Sequence, residues 1–183
     1  MKSSALILLV LGLLTGLLAG CQVGKQASVP PLEPEDPPLR VVVSIPPLAD
    51  WVRELAGPEA EVTCLLPPGA SPHTFEPTPQ QVTDLSKADI FVMIGLGLEE
   101  WAGKLVEALS KSDVRIIKLG DALAADHPLR KSEFLANPHV WLGPDFASEL
   151  VLRLSYGLEN EDPLHINQYK EHREMYLKQL QVM

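Results

Sequence analysis

Residues 40–66 read RVVVSIPPLADWVRELAGPEAEVTCLL and contain a complete β–α–β pattern. The β-branched run at residues 40–45 predicts a buried strand that two prolines end. A helix is predicted for residues 48–56, since Gly57 and the following proline end it. Residues 61–66 show the alternating pattern of a second strand. A strand, a helix and a further strand in this order predict a parallel sheet covered by helices.

The same alternation continues along the chain. Thr78 and Gln81 form a capping-box pattern at the start of a short helix, with proline at its first position. Residues 90–94 and 114–118 predict two more strands, and residues 99–109 predict the helix between them. We therefore expect an α/β fold with a four-stranded, mostly parallel sheet flanked by helices.

The last forty residues predict helices without strands. Apolar residues repeat every four positions in residues 146–158, which predicts a helix that is broken around Gly157. Asp162 and Pro163 are typical of a helix start, and a long, mostly polar helix is predicted from His165 to Val182.

The N-terminal segment predicts export and anchoring. Residues 1–20 carry one lysine and then an aliphatic run of about 21 Å in helical form, shorter than the hydrocarbon core of about 30 Å, so they predict a signal peptide. Leu18-Ala19-Gly20-Cys21 resembles a bacterial lipobox, which predicts lipid attachment at Cys21. The proline-rich residues 21–39 predict an extended, disordered tether, so the folded chain begins near Arg40.

Composition excludes several classes of protein. The chain has 183 residues with 24 acidic and 15 basic side chains, a net charge of −9, and no basic run, so nucleic-acid binding is not expected. Only two cysteines occur, and one is assigned to the lipid, which excludes a disulfide-stabilised scaffold.

Two histidines lie in loops with the same local pattern. His73 lies in SPHTFEPTP (residues 71–79) and His139 in NPHVWLGP (residues 137–144), each after a proline and two positions before an aromatic residue. Proline restricts the backbone, and neutral imidazole is a common zinc ligand. Both loops are expected to follow strands, at the carboxyl edge of the sheet, where α/β proteins bind ligands.

Taken in order, these motifs resemble the solute-binding lipoproteins of bacterial zinc and manganese ABC importers (ZnuA/TroA-like). The resemblance rests on the lipobox, the opening VVVSIPPLADWVRELAG, the two histidine motifs and KADIFVMIGLGLEEW, residues 87–101. It implies a metal held in a cleft between two lobes joined by a long helix. His73 and His139 match the two ligands of the first lobe. Glu76 and Trp141 are candidates to support or shield the ion.

Two departures from the family pattern affect these expectations. Gly143 stands where the family usually has Asp, at a helix N-cap where glycine costs only about a few tenths of a kcal/mol. The third and fourth family ligands come from a second lobe that follows the connecting helix, and this sequence ends at Met183 within that helix. We therefore predict an N-terminal lobe at residues 40–144, helices at 145–183, no second lobe, and a weak half-site for metal.

The leading hypothesis is an extracytoplasmic, membrane-anchored receptor, without catalytic residues, that binds a divalent transition metal and delivers it to an ABC-transporter permease. Zinc is preferred and manganese is the alternative; we expect a monomer. Three other hypotheses remain: a truncated, non-functional fragment, a manganese receptor or surface adhesin of the same family, and a zinc hydrolase with Glu76 as base. The remaining histidines, His127, His165 and His172, are predicted to be solvated surface residues.

Overall fold

A computed structural model describes residues 37–127 and 130–181. The predicted signal peptide, the lipid attachment at Cys21 and most of the predicted tether lie outside these residues. Within the described ranges, no helix combines the length and the apolar composition that crossing a bilayer requires.

Four strands form one sheet in the order β2-β1-β3-β4, and every neighbouring pair is parallel. The strands are β1 (Leu39–Val43), β2 (Ala60–Cys64), β3 (Ile90–Met93) and β4 (Arg115–Lys118). The register places Val41 of β1 between Val62 of β2 and Ile90 of β3. The predicted four-stranded α/β fold is confirmed, and its sheet is entirely parallel.

Seven α-helices connect and follow the strands in the described residues. They are α1 (Pro46–Ala56), α2 (Pro79–Leu85), α3 (Ala102–Leu109), α4 (Leu119–Asp126), α5 (Lys131–Ala136), α6 (Pro144–Glu161) and α7 (Ile166–Leu180). Short 3₁₀ turns precede β2, α6 and α7: Gly57–Glu59, Val140–Leu142 and Pro163–His165.

Both faces of the sheet are covered, because successive side chains of a strand point to opposite sides. Val41 and Val43 pack in one hydrophobic cluster with α1, α4, α6 and α7. Val42 and Phe91 pack in a second cluster on the other face, with Leu85 of α2 and the apolar side of α3. The helices at residues 144–180 therefore share a core with the strands.

The capping box at Thr78 and the glycine at residue 57 lie at helix ends, as the sequence predicts. The Thr78 hydroxyl accepts a hydrogen bond from the Gln81 backbone N–H at 3.3 Å, and the Gln81 side chain accepts one from the Thr78 N–H at 2.9 Å, a complete capping box. Gly57 ends α1 with φ of +57°, a conformation that residues with a Cβ rarely adopt.

Two predictions about helices were wrong. The predicted break at Gly157 is absent, since α6 is continuous from Pro144 to Glu161. A Cβ at Gly157 would lie 2.5 Å from Cδ1 of Ile117, so the glycine permits close packing of α6 on the sheet. The helix expected from Glu99 begins only at Ala102, because Glu99 is used in a buried turn described below.

The polar helix α7 is held to the lobe through Tyr169. Tyr169 is completely buried, and its hydroxyl donates to the Asp162 carboxylate at 2.6 Å. Asp162 is the N-cap of the turn at residues 163–165 and Pro163 follows it, as predicted, but the Asp162 carboxylate bonds the side chains of His165 and Tyr169 and caps no backbone N–H.

The prediction that three further histidines are solvated was also wrong. His172 Nδ1 donates to the Leu55 carbonyl of α1 at 2.9 Å. His165 contacts Asp162 and Glu59, with N–O distances of 2.7 and 3.2 Å. His127 lies 3.0 Å from the Glu149 carboxylate of α6. All three are half-buried and connect segments distant in sequence, which a local pattern cannot reveal.

Candidate metal centre

The first histidine lies on a loop that leaves the carboxyl end of β2. Within this loop the Thr74 backbone N–H donates to the Ser71 carbonyl at 3.4 Å, and the His73 N–H donates to the Ser71 hydroxyl at 3.3 Å. From outside the loop, the Trp101 indole N–H donates to the Pro72 carbonyl at 2.8 Å. The residue directly before His73 is therefore bonded to a different part of the fold.

Trp101 follows a turn that is fixed by a buried carboxylate. Glu99 is 3% exposed and accepts hydrogen bonds from the Ser44 hydroxyl at 2.6 Å and from the backbone N–H groups of Ile94 and Gly95 at 3.0 and 2.9 Å. Ser44 follows β1, and Ile94 follows β3, so this carboxylate joins the carboxyl ends of the two central strands. Burial raises the pKa of Glu99 above its ordinary value, and the hydrogen bonds oppose that effect.

The second histidine, His139, lies on a loop that follows a helix, although the sequence predicts a loop that follows a strand. His139 does not directly follow a strand, because α4 and α5 intervene between β4 and its loop. It lies between α5 and the 3₁₀ turn that precedes α6. Asn137 Oδ1 lies 3.2 Å from the His139 backbone N and 2.9 Å from its ring Nδ1.

The two loops bring the histidine rings into contact. The ring centroids of His73 and His139 are 5.5 Å apart, and the ring planes are inclined by 64°. The indole of Trp141 lies against His139, with centroids 5.2 Å apart. His73 is exposed and His139 is half-buried, so the pair opens to solvent. Two imidazoles at this separation have the residue types and the proximity needed to bind one metal ion.

In the described part of the chain, the structure shows no hydrogen bond or ion pair between Glu76 and the two histidine rings, and Gly143 lies at the start of α6. Glu76 is exposed on the His73 loop, and among residues 37–127 and 130–181 no group of three or more His, Cys, Asp or Glu side chains is arranged to hold a metal. Gly143 is the N-cap of α6, as expected, with no side-chain cap. A Cβ there would meet Phe146 at 3.5 Å, an ordinary contact, so the fold tolerates glycine or a side chain.

Sequence reasoning did not assign roles to the residues that hold the two loops. Asn137, Glu99 and Trp101 all lie within the motifs quoted above, but their roles depend on contacts that the motifs do not specify. The Asn-Pro-His order is a usable signal for Asn137, because Asn side chains commonly accept hydrogen bonds from the backbone two residues later. The Ser44 partner of Glu99 is 55 residues away and the Pro72 partner of Trp101 is 29 residues away, beyond any local signal.

Replacing Trp101 by phenylalanine tests how the His73 loop is held. Phenylalanine retains a ring against Phe75, whose centroid lies 5.1 Å from that of Trp101, but it lacks the N–H that binds Pro72. We expect a loss of about 1 kcal/mol in unfolding free energy and faster hydrogen exchange at the Thr74 amide. Unchanged exchange in Trp101→Phe would show that the indole hydrogen bond does not order the loop.

Comparisons with known proteins agree with this architecture. The manganese-binding lipoprotein MntA of Halalkalibacterium halodurans is 36% identical over 143 residues, covering 78% of this chain and 46% of that protein. The zinc-binding lipoprotein AdcA of Streptococcus pneumoniae is 30% identical, covering 96% of this chain and 36% of that protein. The chain thus spans half or less of the length of these relatives.

A solved structure gives the same result for the fold. The Zn(II)-bound ZnuA-like domain of Streptococcus pneumoniae AdcA superposes with a TM-score of 0.70 at 32% identity, over 79% of this chain and 52% of that one. A further relative, the metal ABC transporter substrate-binding lipoprotein SloC of Streptococcus mutans, is 30% identical over 99% of this chain and 58% of that protein, so the shared architecture defines the class of substrate-binding lipoproteins of metal ABC transporters. The profile of the family described as zinc-uptake complex component A, periplasmic (ZnuA), matches residues 41–183, and the chain belongs to that family.

Proposed function

We propose that this chain binds one zinc ion through His73 and His139 and belongs to the extracytoplasmic receptor of an ABC importer. The observation that carries the proposal is the approach of the two rings, with centroids 5.5 Å apart although the residues are 66 positions apart in sequence (139 − 73). Two separately supported loops converge at one solvent-accessible point, where an ion can enter.

The ring separation agrees with the geometry of zinc coordination. A zinc–nitrogen bond is about 2.0–2.1 Å, which puts each imidazole centroid about 3.2 Å from the metal. At a tetrahedral angle, two such rings have centroids about 5.2 Å apart. The observed 5.5 Å is close to this value, so the separation of the two rings is compatible with their binding one ion.

The donor set favours a transition metal. Calcium and magnesium prefer shells of oxygen ligands, whereas imidazole suits zinc and its neighbours. For a given set of nitrogen donors, affinity rises from manganese to zinc, so we propose zinc as the preferred ion and manganese as the alternative. The printed names of the relatives include both metals.

Family membership supports the biological role. Metal receptors of ABC importers hold the ion without changing it, and we propose that this protein delivers zinc to a membrane permease, as a monomer and not as an enzyme. The relatives are named as lipoproteins, which supports anchoring outside the cytoplasm through lipidated Cys21.

Calorimetric titration of the 183-residue chain with zinc, manganese, calcium and magnesium tests the proposal. We expect one zinc per chain, with affinity in the micromolar range because two imidazoles leave further coordination positions to water, weaker binding of manganese, and no saturable heat with calcium or magnesium. Absence of saturable zinc binding, or equal binding of calcium, would refute it.

A further inference from the structure

We infer that Asn137 is a positioning residue that holds the His139 ring in the tautomer whose Nε2 is free to bind a metal. The inference deepens the proposed function and rests on it only for the identity of the ligand. It starts from one oxygen atom, Asn137 Oδ1, which lies 3.2 Å from the His139 backbone N and 2.9 Å from the His139 ring Nδ1.

The chemistry of these two contacts determines where the ring proton lies. A backbone N–H can only donate, so the side-chain atom of Asn137 that faces it must be the carbonyl oxygen and not the amide nitrogen. That oxygen has a second lone pair but no proton. The ring Nδ1 that faces the same oxygen must therefore carry the hydrogen, and in a neutral imidazole the other nitrogen, Nε2, then has the lone pair.

This arrangement prepares the ring before any ion arrives. A neutral imidazole in water exchanges between two tautomers, and only the nitrogen without hydrogen can bind a metal. The bond from Nδ1–H to Asn137 favours one tautomer and also limits rotation of the ring, which is the usual contribution of a second partner to a histidine ligand. Asn137 is itself well placed, because its backbone N–H donates to the Glu133 carbonyl at the end of α5.

The other histidine of the pair provides an internal comparison. In residues 37–127 and 130–181, no side chain hydrogen-bonds the ring of His73, whose ring contact is with His139. Within the same described ranges, one side chain bonds this residue: the Ser71 hydroxyl accepts from the His73 backbone N–H. The inference therefore predicts a fixed tautomer for His139 and a mixture for His73 in the same metal-free molecule.

Long-range ¹H–¹⁵N NMR of the metal-free, full-length chain at mildly alkaline pH measures this directly, since the two ring nitrogens of each tautomer have distinct shifts. We expect His139 to carry its proton on Nδ1 and His73 to give averaged shifts. In Asn137→Ala, His139 should change to averaged shifts while His73 does not. Asn137→Asp keeps an acceptor oxygen and should retain the Nδ1–H form. A predominant Nε2–H form of His139 in the native chain, or no change in Asn137→Ala, would overturn the inference.

Zinc titration of the same three proteins then links the tautomer to binding. We expect Asn137→Ala to bind zinc about 10-fold more weakly, the lower end of what is seen when such a partner is removed, and Asn137→Asp to bind at least as well as the native chain. Unchanged affinity in Asn137→Ala would overturn the role in metal binding. If the native chain shows the expected tautomer but binds no zinc, the proposed function fails while the positioning of His139 by Asn137 stands.

Discussion

Replacing either His73 or His139 by alanine is expected to lower zinc affinity by at least about 100-fold, equal to a loss of about 2.7 kcal/mol. The reason is the geometry of the pair: each ring supplies one nitrogen, and their centroids are only 5.5 Å apart. With one ring removed, the other is a single imidazole, and the advantage of two ligands held in place by the fold is lost. Calorimetric titration of both variants against the native chain measures the effect.

His172→Ala is the matched control for these variants. His172 bonds the Leu55 carbonyl near the C-terminal end of α1, which precedes the start of β2, whereas the His73 loop follows the other end of that strand. This substitution should lower stability by about 1 kcal/mol and leave zinc binding unchanged. Retention of native zinc affinity by His73→Ala or His139→Ala, or an equal loss in His172→Ala, would contradict the assignment.

Replacing Glu99 by alanine is expected to cost about 3 kcal/mol or more in unfolding free energy, which is a large part of the stability of a domain. The variant leaves three buried donors without their acceptor: the Ser44 hydroxyl and the N–H groups of Ile94 and Gly95. Each such donor costs about 1–3 kcal/mol when it is left unsatisfied. Denaturant unfolding monitored by circular dichroism gives the free energy.

Glu100→Ala supplies the matched control, because this neighbouring glutamate is exposed whereas Glu99 is 3% exposed. Its expected effect is within about 0.5 kcal/mol of zero. Zinc titration of Glu99→Ala is a second measurement. The turn that Glu99 holds leads to Trp101, whose indole N–H donates to the Pro72 carbonyl directly before His73. A stable Glu99→Ala protein with native unfolding free energy would show that the carboxylate does not stabilise the strand ends.

Much of the fold could be predicted because its signals are local. Strand β1 is a β-branched run, the capping box of α2 lies within four residues, and Gly57 marks the end of α1. Each of these features depends on neighbours in sequence, so propensity and pattern are sufficient to find it. Alternation of such strands and helices then leaves a parallel sheet as the expected arrangement.

The incorrect predictions concern features that depend on distant contacts. The sequence predicts a helix break at Gly157, but this glycine faces Ile117 of β4, forty positions earlier (157 − 117). The sequence predicts a solvated His172, but this side chain bonds a backbone carbonyl of α1, 117 residues away. In each case the partner is chosen by tertiary packing, which overrides what glycine or a polar helix face indicates alone.

The candidate site likewise contains residues that the sequence identifies and residues whose roles only the structure shows. The repeated Pro-His pattern and the family resemblance selected His73 and His139, and the structure brings their rings together. The groups that support them could not be assigned from the motifs, because bonds such as that from Trp101 to the Pro72 carbonyl join separate loops. Nor could the sequence show that His139 is reached through two helices rather than directly from a strand.

Zinc K-edge X-ray absorption of the complex with one zinc per chain tests most directly whether His73 and His139 bind the same ion. It should detect two imidazole ligands at about 2.0–2.1 Å, together with oxygen donors from water, in the native chain. His73→Ala and His139→Ala, loaded at excess zinc, should each show one imidazole at most. Fewer than two imidazoles in the native complex, or two in either variant, would contradict the claim that these two histidines bind a single ion.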